Sequence, residues 1–272
     1  MRLIETLRSA SPLIHHITNY VTMNDCANAT LAVGASPVMV SSPEEAPQMA
    51  ALASALVLNM GTSDEAGIRA MLSAGRTAKD RGIPVVFDPV GAGATPYRQA
   101  LSLRIMDEVR PDFVKGNAAE LSFLGGLKSA QRGVDSLESA KAEALFTVAS
   151  RYACVAVATG EADHVCDGKT LYLVRGGNPT LGRVCGTGCM SASVLASMAA
   201  VSPDAYLRAA LSTCLAMKLA GEAAERAVSA ASPDLAPGLA SFRVALMDNL
   251  SRMDDDALEA AWDRCEAMDE KA

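Results

Sequence analysis

The chain has 272 residues, of which half are apolar, a fifth are charged and only 4% are aromatic. This length and composition fit one large α/β domain or two small ones with a substantial buried core. The formal net charge of −7 argues against an extended nucleic-acid-binding surface, so an anionic ligand would need a local site.

Cysteine usage and the apolar segments indicate a cytoplasmic protein. The seven cysteines are scattered, odd in number, and include no Cys-x-x-Cys pair or metal-type Cys/His cluster, which favours reduced thiols. The start Met1–Glu5 is too polar for a signal peptide, and the apolar stretch Met49–Met60 is too short to span a bilayer. We therefore expect no contact with a membrane.

The first two thirds of the chain alternate short strands with longer helices. In chain order we predict helix Thr22–Gly34, strand Pro37–Val40, helix Pro43–Ala53, strand Ala55–Asn59, helix Ser63–Arg81, strand Pro84–Asp88, helix Tyr97–Val109, strand Phe113–Lys115, a helix over Ala118–Leu124, helix Ser136–Arg151 and strand Cys154–Ala158. Strands that are apolar throughout and separated by helices indicate a mostly parallel sheet covered on both faces.

The last third changes character. His164–Cys166 and Thr170–Val174 flank Asp167-Gly168, which predicts an antiparallel hairpin with a two-residue turn. From Gly186 onward the pattern is helical, down to the polar tail Asp269–Ala272. With no repeat and no linker-like segment, residues 1–272 are expected to form a single domain.

The first candidate site is the segment Asp88–Gly93, which reads Asp-Pro-Val-Gly-Ala-Gly and directly follows a predicted strand. Open α/β sheets bind ligands at this carboxyl edge. A carboxylate followed by glycines suits a Mg²⁺ ion or a phosphate. The same residues equally fit an acidic turn whose glycines serve only tight geometry.

The second candidate site is the junction Lys115–Glu120. Asn117 can cap the following helix, and Glu120 can complete a capping box with it. The functional interpretation makes Glu120 a metal-associated carboxylate across from Asp88, and Lys115 a partner for nucleotide phosphates. Taken alone, the segment leaves both interpretations open.

The third candidate site is the anion loop, defined as Gly186-Thr187-Gly188, which Cys189 follows at the start of a strongly helical run. A helix N-terminus offers unpaired N–H groups and a favourable dipole to an anion. A thiol at this place is expected to have a depressed pKa. The alternative is a glycine-rich entry to a core helix with an inert cysteine.

Three other motifs are set aside. The Gly-Lys-Thr of Gly168–Thr170 lacks the earlier P-loop glycine, since Asp163 stands there, and hairpin strands follow instead of a helix. No Gly-x-Gly-x-x-Gly follows Asp88, so a dinucleotide fingerprint is absent. His15-His16 without a third ligand favours a structural or substrate-facing role over a metal site.

An ordered set of blocks resembles the hydroxyethylthiazole kinase family over roughly residues 11 to 220. The blocks are an N-terminal signature of His15–Asn19, Ala27-Asn28 and Gly34–Met39, followed by Leu58–Thr62, Asp88–Thr95, Lys115–Glu120, Gly133–Asp135, Ala158–Asp163 and Gly186–Cys189. The resemblance implies a ribokinase-like α/β fold, Mg²⁺ with ATP, transfer of the γ-phosphate to the hydroxyethyl group of 4-methyl-5-(2-hydroxyethyl)thiazole in thiamine salvage, and a homotrimer with thiazole sites between subunits.

The resemblance also implies roles for individual residues. They are Asn19, Met39 and Gly186 at the thiazole, Lys115 and Thr159 at ATP, Asp88 and Glu120 at the metal and its waters, and Cys189 beside the reacting hydroxyl. The wider superfamily usually has Asp where Cys189 stands. Phosphoryl transfer depends mainly on positioning and charge stabilisation, and its loose transition state asks little of a base.

This chain departs from the family at three places. Cys185 stands where Thr is common, Gly176-Gly177-Asn178 replaces Asn-Gly-His, and Lys115 stands where Arg is frequent. The first two leave the nucleotide side open. Lysine at 115 keeps the charge but loses the bidentate fork of arginine.

Rival functions remain. The nearest is a ribokinase-like kinase for a hydroxymethylpyrimidine or pyridoxal-type alcohol, against which the Thr18-Asn19 and Ser36–Met39 segments argue. A non-catalytic nucleotide sensor would keep the anion loop, but joint retention of Asp88, Glu120 and Cys189 argues against it. A dehydrogenase lacks its fingerprint.

Overall fold

The computed structural model describes residues 2–127, 134–231, 236 and 238–268. Within them, nine strands form one sheet in the order β2-β1-β3-β4-β5-β6-β7-β8-β9. The strands are β1 Leu13–Ile17, β2 Ser36–Met39, β3 Ala55–Asn59, β4 Val85–Asp88, β5 Phe113–Asn117, β6 Val155–Thr159, β7 Asp163–Cys166, β8 Leu171–Val174 and β9 Cys265–Met268. Gly133 and the polar tail 269–272 lie outside the described residues.

The helices that follow or cover these strands have the bounds α1 Leu3–Ala10, α2 Met23–Val33, α3 Ala46–Leu52, α4 Glu65–Arg81, α5 Pro96–Val109, α6 Ala118–Leu124, α7 Val134–Tyr152, α8 Thr187–Ala200, α9 Tyr206–Ala231, α10 Leu239–Arg252 and α11 Asp255–Ala260. Short 3-10 helices span Pro179–Arg183 and Trp262–Arg264. The mostly parallel α/β arrangement predicted from the sequence is confirmed.

Two apolar cores cover the two faces of the sheet. Alternate residues of one strand point to opposite faces, so Ala55 and Val57 join one core while Leu56 and Leu58 join the other. The first core contains α1, α2 and α8 to α11, and the second contains α3 to α7. Burial on both faces explains why these strands lack polar alternation.

Strand direction places the polar residues. Strands β1 to β6 pair in parallel, so their carboxyl ends share one edge of the sheet. Strands β7, β8 and β9 are antiparallel additions. The hairpin of β7 and β8 is confirmed, but four residues, Asp167 to Thr170, join its strands where we predicted a two-residue turn. Asp167 Oδ1 accepts from the backbone N–H groups of Lys169 and Thr170, at 2.9 and 2.8 Å, and stabilises this longer connection.

The prediction of helix alone after Gly186 is wrong at one place. Residues Cys265 to Met268 form edge strand β9, which pairs with β8. Its sequence, Cys-Glu-Ala-Met, has no apolar run typical of a strand. Backbone pairing to a neighbouring strand creates β9, and local propensity does not predict such pairing.

Contacts between the two ends of the described chain close the fold. The buried carboxylate of Asp255 accepts from the backbone N–H groups of Ile4 and Glu5, at 2.9 and 3.0 Å. These groups belong to the first turn of α1, where N–H groups have no partner inside the helix. Arg8 Nη2 also donates to the carbonyl of Ser251 at 2.8 Å. Helix α1 therefore depends on residues about 250 positions away.

Candidate active site

A cavity of about 350 Å³ opens at the carboxyl edge of the parallel strands, beside the N-terminus of α8. Most residues singled out in the sequence line it, namely Asn19, Asp88, Lys115, Glu120, Thr159, Gly186, Gly188 and Cys189. They come from loops or strand ends far apart in the chain. The rule that parallel strands present ligand-binding residues at one edge explains why they meet.

Asn59 connects the buried polar groups of this cavity. It ends β3 and is 1% exposed. Its Nδ2 lies 2.8 Å from Asp88 Oδ2 and 3.2 Å from Cys189 Sγ, and it can donate one N–H to each. Its Oδ1 accepts from Asn19 Nδ2 and from the backbone N–H of Gly61, both at 3.0 Å. A single amide therefore fixes three side chains and the start of the next loop.

Sequence reasoning did not single out Asn59 as a site residue. The signal that could have found it is a polar residue ending a strand that is otherwise fully apolar, since a buried amide needs partners. Thr22 was missed as well. Its backbone N–H and its hydroxyl both donate to Asn19 Oδ1 at 3.1 Å, which orients the Asn19 amide towards Cys189.

Asp88 is a buried carboxylate at the end of β4. Burial raises its pKa to about 6, Lys115 and the hydrogen bonds from Cys189 and Asn59 lower it, and Glu120 raises it. At neutral pH the carboxylate is therefore mainly ionised, but it holds its charge less firmly than an exposed aspartate. Such perturbation at a strand end is typical of a functional site.

The expected depression of the Cys189 pKa is wrong. Cys189 stands at the third position of α8, where the helix dipole favours a thiolate. However, burial raises the pKa of the thiol, and the neighbouring Asp88 carboxylate raises it further. Hydrogen bonds from Thr22 and Asn19 and the charge of Lys115 oppose this without reversing it. Cys189 is thus a protonated thiol at neutral pH.

The Glu120 carboxylate joins two loops by accepting hydrogen bonds from the backbone of each. Its Oε1 accepts from the backbone N–H of Gly91 and its Oε2 from that of Asn117, both at 2.8 Å. Asn117 Oδ1 accepts in turn from the backbone N–H groups of Ala119 and Glu120, so the capping box predicted as one interpretation is present. Glu120 also lines the cavity, so its structural role and a role at a metal are compatible.

Lys115 contacts the anion loop through a hydrogen bond to its backbone. Its buried side chain donates from Nζ to the carbonyl of Gly188 at 2.9 Å. Gly186, the N-cap of α8, has φ of 89°, and a Cβ there would lie 2.8 Å from Thr22 Cγ2. Only glycine fits this turn without strain. The loop therefore presents the first N–H groups of α8 next to a fixed positive charge.

Three other predicted residues differ in their position relative to the cavity, since Thr159 lines it and Thr187 and Met39 do not. Thr187 Oγ1 donates to the carbonyl of Leu181 at 2.8 Å, so its hydroxyl holds the preceding 3-10 helix, and Thr187 is not among the residues that line the cavity. Thr159 lines the cavity and donates from Oγ1 to the carbonyl of Gly116 at 3.2 Å. Met39 lies on edge strand β2, outside this lining, and its contact with thiazole stays a prediction.

The departures near the nucleotide side have a partial physical explanation. Gly176 and Gly177 have φ of 102° and 93°. A Cβ at Gly176 would lie 2.7 Å from Arg264 Nη1 and 2.8 Å from Glu222 Oε1, which are themselves paired. The ion pair thus occupies the space that a side chain at 176 would need. Cys185 is exposed and lines the cavity.

The adjacent histidines are structural in this fold. His15 Nε2 lies 2.8 Å from the carbonyl of Val40. His16 is buried between β1, α2 and α8, with Nε2 3.1 Å from Ser193 Oγ and 3.3 Å from Thr30 Oγ1. Among the described residues, no group of three or more His, Cys, Asp or Glu side chains could hold a metal by itself. Within the same residues, no helix combines the length and apolarity needed to cross a membrane.

Comparison with known protein sequences identifies one family over most of the chain. The profile of the Hydroxyethylthiazole kinase family matches residues 4–256. A hydroxyethylthiazole kinase of Desulforudis audaxviator is 47% identical over 246 residues, covering 90% of this chain and 87% of that protein.

Solved structures extend the likeness to the fold. The hydroxyethylthiazole kinase of Pyrococcus horikoshii OT3 superposes with a TM-score of 0.83 at 36% identity, covering 98% of this chain and 96% of the other. A ribokinase-like superfamily protein of Enterococcus faecalis V583 gives a TM-score of 0.57 at 12% identity, covering 92% and 94%. The fold is therefore ribokinase-like, and the chain belongs to the hydroxyethylthiazole kinase family.

Proposed function

We propose that the protein transfers the γ-phosphate of Mg-ATP to the primary alcohol of 4-methyl-5-(2-hydroxyethyl)thiazole, as a step of thiamine salvage. The observation that carries this proposal is the convergence of Asp88, Cys189 and Lys115 on one cavity beside the anion loop. Family membership supports the same reaction.

The two substrates divide the cavity between them. The thiazole alcohol binds near Asn19 and Gly186, and Met39 contributes from edge strand β2 of a neighbouring subunit. ATP binds along Lys115 and Thr159, with its γ-phosphate at the anion loop. The N–H groups of the first turn of α8 and the Lys115 ammonium stabilise the charge that spreads over the phosphoryl oxygens.

The carboxylates fit a Mg²⁺ ion that is shared with phosphates. Mg²⁺ in nucleotide sites takes one or two carboxylates, water and phosphate oxygens, and seldom an all-protein cage. Asp88 and Glu120 supply that donor set, because both line the cavity and the charge of Glu120 raises the pKa of Asp88, which a cation between them would offset. When bound, the ion neutralises charge on the phosphates.

Cys189 lies beside the reacting hydroxyl in this proposal. Its raised pKa keeps it a protonated thiol in the resting state, and the neighbouring Asp88 carboxylate can accept the thiol proton. The hydroxyl proton passes to Sγ as the thiol proton moves to the Asp88 carboxylate. Because the transition state is loose, this transfer can come late, after the bond to phosphorus has begun to form. Asn59 holds both groups and so keeps thiol and carboxylate at fixed positions.

The assembly is proposed on the same basis. We expect each chain to act as one ribokinase-like domain in a cytoplasmic homotrimer whose thiazole sites lie between subunits. The position of Met39 on an edge strand, away from the lining of the cavity in its own chain, supports a site completed by a neighbour. Sedimentation at working concentration should show the trimer, and a fully active monomer would remove the interfacial site.

The decisive experiment is detection by mass spectrometry of a phosphorylated thiazole alcohol after incubation with Mg-ATP. Hydroxymethylpyrimidine and pyridoxal, supplied in competition, test the rival alcohols in the same mixture. The Asp88→Asn variant is the matched control for a contaminating kinase. Phosphorylation of a rival alcohol in preference to the thiazole would overturn the substrate assignment, and nucleotide binding without any phosphorylated product would indicate a sensor.

A further inference from the structure

Helix α9 carries a buried lysine to which the proposed reaction assigns no role, and which contacts the backbone of two separate loops. Lys218 is 3% exposed. Its Nζ lies 3.0 Å from the carbonyl of Glu161, 3.1 Å from that of Gly176 and 3.4 Å from Asp163 Oδ1. An ammonium has three N–H donors, so these three acceptors match its full capacity. A buried lysine is costly unless it is paired in this way.

One series of contacts runs from Lys218 to the cavity lining at Thr159. Asp163 Oδ1, which pairs with Lys218, also accepts from the backbone N–H of Gly160 at 2.9 Å. Gly160 directly follows Thr159, the residue of β6 that lines the cavity. Lys218 and Asp163 therefore fix the turn between β6 and β7 at the point where β6 reaches the cavity.

A second series of contacts runs from α9 to the anion loop. Residues 218, 221, 222 and 225 share one face of α9 because they are spaced by three or four. Gly221 lets Leu181 approach, since a Cβ there would lie 2.7 Å from Leu181 Cδ1, and Glu222 accepts from the backbone N–H of Gly177 at 2.8 Å. The carbonyl of Leu181 accepts from Thr187 at the first position of α8. This face of α9 thus supports the segment 176–181 that leads to the loop.

We propose that Lys218 is a positioning residue for the nucleotide half of the cavity. It joins the backbone beyond Thr159 to the segment that leads to the anion loop, and so fixes the distance between the two. The inference rests on the proposed function, in which Thr159 and the loop contact ATP. The thiazole side, around Asn19, is held by Asn59 and Thr22, which Lys218 does not touch. Gly186, which belongs to both the anion loop and the thiazole side, lies against Thr22, so the effect should fall mainly on the nucleotide.

The test uses two variants and a matched control. Lys218→Met removes the ammonium and keeps most of the volume. Lys218→Met combined with Asp163→Asn also removes the unpaired buried charge, while the new amide oxygen can still accept from Gly160. Lys79→Met is the control, because Lys79 pairs with Asp112 before β5, at the opposite edge of the sheet.

We expect the KM for ATP and the Kd of Mg-ATP, measured by calorimetry without the alcohol, to rise about tenfold in both Lys218 variants, since the loops must be ordered on binding. The KM for the thiazole alcohol and both constants of Lys79→Met should stay within about twofold of wild type. A folded double variant with wild-type affinity for Mg-ATP would overturn the proposal. Equal rises in both KM values would reduce Lys218 to a general structural role and overturn it too.

The binding measurement separates this inference from the reaction itself. A wild-type protein that binds Mg-ATP but phosphorylates no thiazole alcohol would defeat the proposed substrate, and Lys218 would then be judged on the Kd alone. A wild-type protein without affinity for Mg-ATP would defeat both.

Discussion

Acidification should destabilise the protein through His16. Its Nδ1 lies 3.0 Å from the carbonyl of Ile14 and therefore carries the proton, which leaves Nε2 to accept from the Ser193 hydroxyl at 3.1 Å. The Thr30 hydroxyl, 3.3 Å from Nε2, donates to the carbonyl of Cys26. Burial lowers the pKa of His16 from 6.5 to about 4. The unfolded chain therefore binds a proton on this side chain at a higher pH than the folded chain does.

The magnitude follows from linkage. A folded-state pKa below the unfolded one means that stability is lost as pH falls through about 6.5 and continues to fall until about pH 4. One pKa unit corresponds to about 1.4 kcal/mol, so His16 alone should remove about 2 kcal/mol between pH 7 and pH 5. For a protein of ordinary stability this is a large fraction of the free energy of unfolding.

The assay is urea unfolding at pH 7, 6 and 5, at one protein concentration, for wild type and His16→Gln. Glutamine can still accept a hydrogen bond from Ser193 but cannot bind a proton in this range. The variant should be less stable at pH 7, because a glutamine side chain does not fill the space of the imidazole ring. Between pH 7 and pH 5, however, its free energy of unfolding should fall by about 2 kcal/mol less than that of wild type. Equal losses in the two proteins would refute the assignment of a buried neutral histidine.

The active-site predictions are tested by steady-state kinetics. Asn59→Asp replaces the amide that donates to Asp88 and Cys189 with a carboxylate of the same shape, so kcat should fall about 10²-fold or more, whereas Asn249→Asp on the outer helix α10 should keep the wild-type rate. Asp88→Asn and Glu120→Gln should each add about 3–4 kcal/mol to the barrier, and near-normal rates for both at low Mg²⁺ would contradict the metal assignment. Cys189→Ala should lower kcat about 10²-fold with little change in the KM for thiazole, and a variant that retains most of its kcat would remove Cys189 from the proton relay. Because the pKa of Cys189 is raised, its alkylation at pH 7 should be slow, and rapid alkylation that the alcohol prevents would contradict the raised pKa of this thiol.

The sequence allowed the layered architecture and most of the cavity to be predicted, because apolar strands and glycine-bearing junctions are local signals. Strand β3 was predicted to the residue, and Asp88 was correctly predicted to end the strand that became β4. Strand β1 was not predicted, since His15 and His16 interrupt its apolar pattern. Their burial depends on Ser193 and Val40, partners that only the folded chain brings near.

The electrostatics of the site could be predicted less well. A helix N-terminus argues for a low thiol pKa at Cys189, but burial and the charge of Asp88 are properties of the assembled site and act in the opposite direction. The central role of Asn59 is equally non-local, because its partners lie 29, 40 and 130 residues away. Sequence patterns identify which residues reach the sheet edge. The pKa values and hydrogen bonds of these residues depend on distances of a few ångströms between them, which only the folded chain defines.

The capping of α1 by Asp255 has a consequence during synthesis of the chain. Some 251 residues separate the Ile4 N–H from the carboxylate that accepts from it. At a rate of about 5–20 residues per second, translation needs tens of seconds to add them. We expect the nascent α1 to spend that interval without its cap, and Leu3, Ile4 and Leu7 to stay partly exposed, because α2 is made early but α8 follows only after residue 187 and α11 only after residue 255. Helix α1 therefore waits longer on the ribosome for its partners than a segment whose partners are close in sequence, and a holdase chaperone would meet it there.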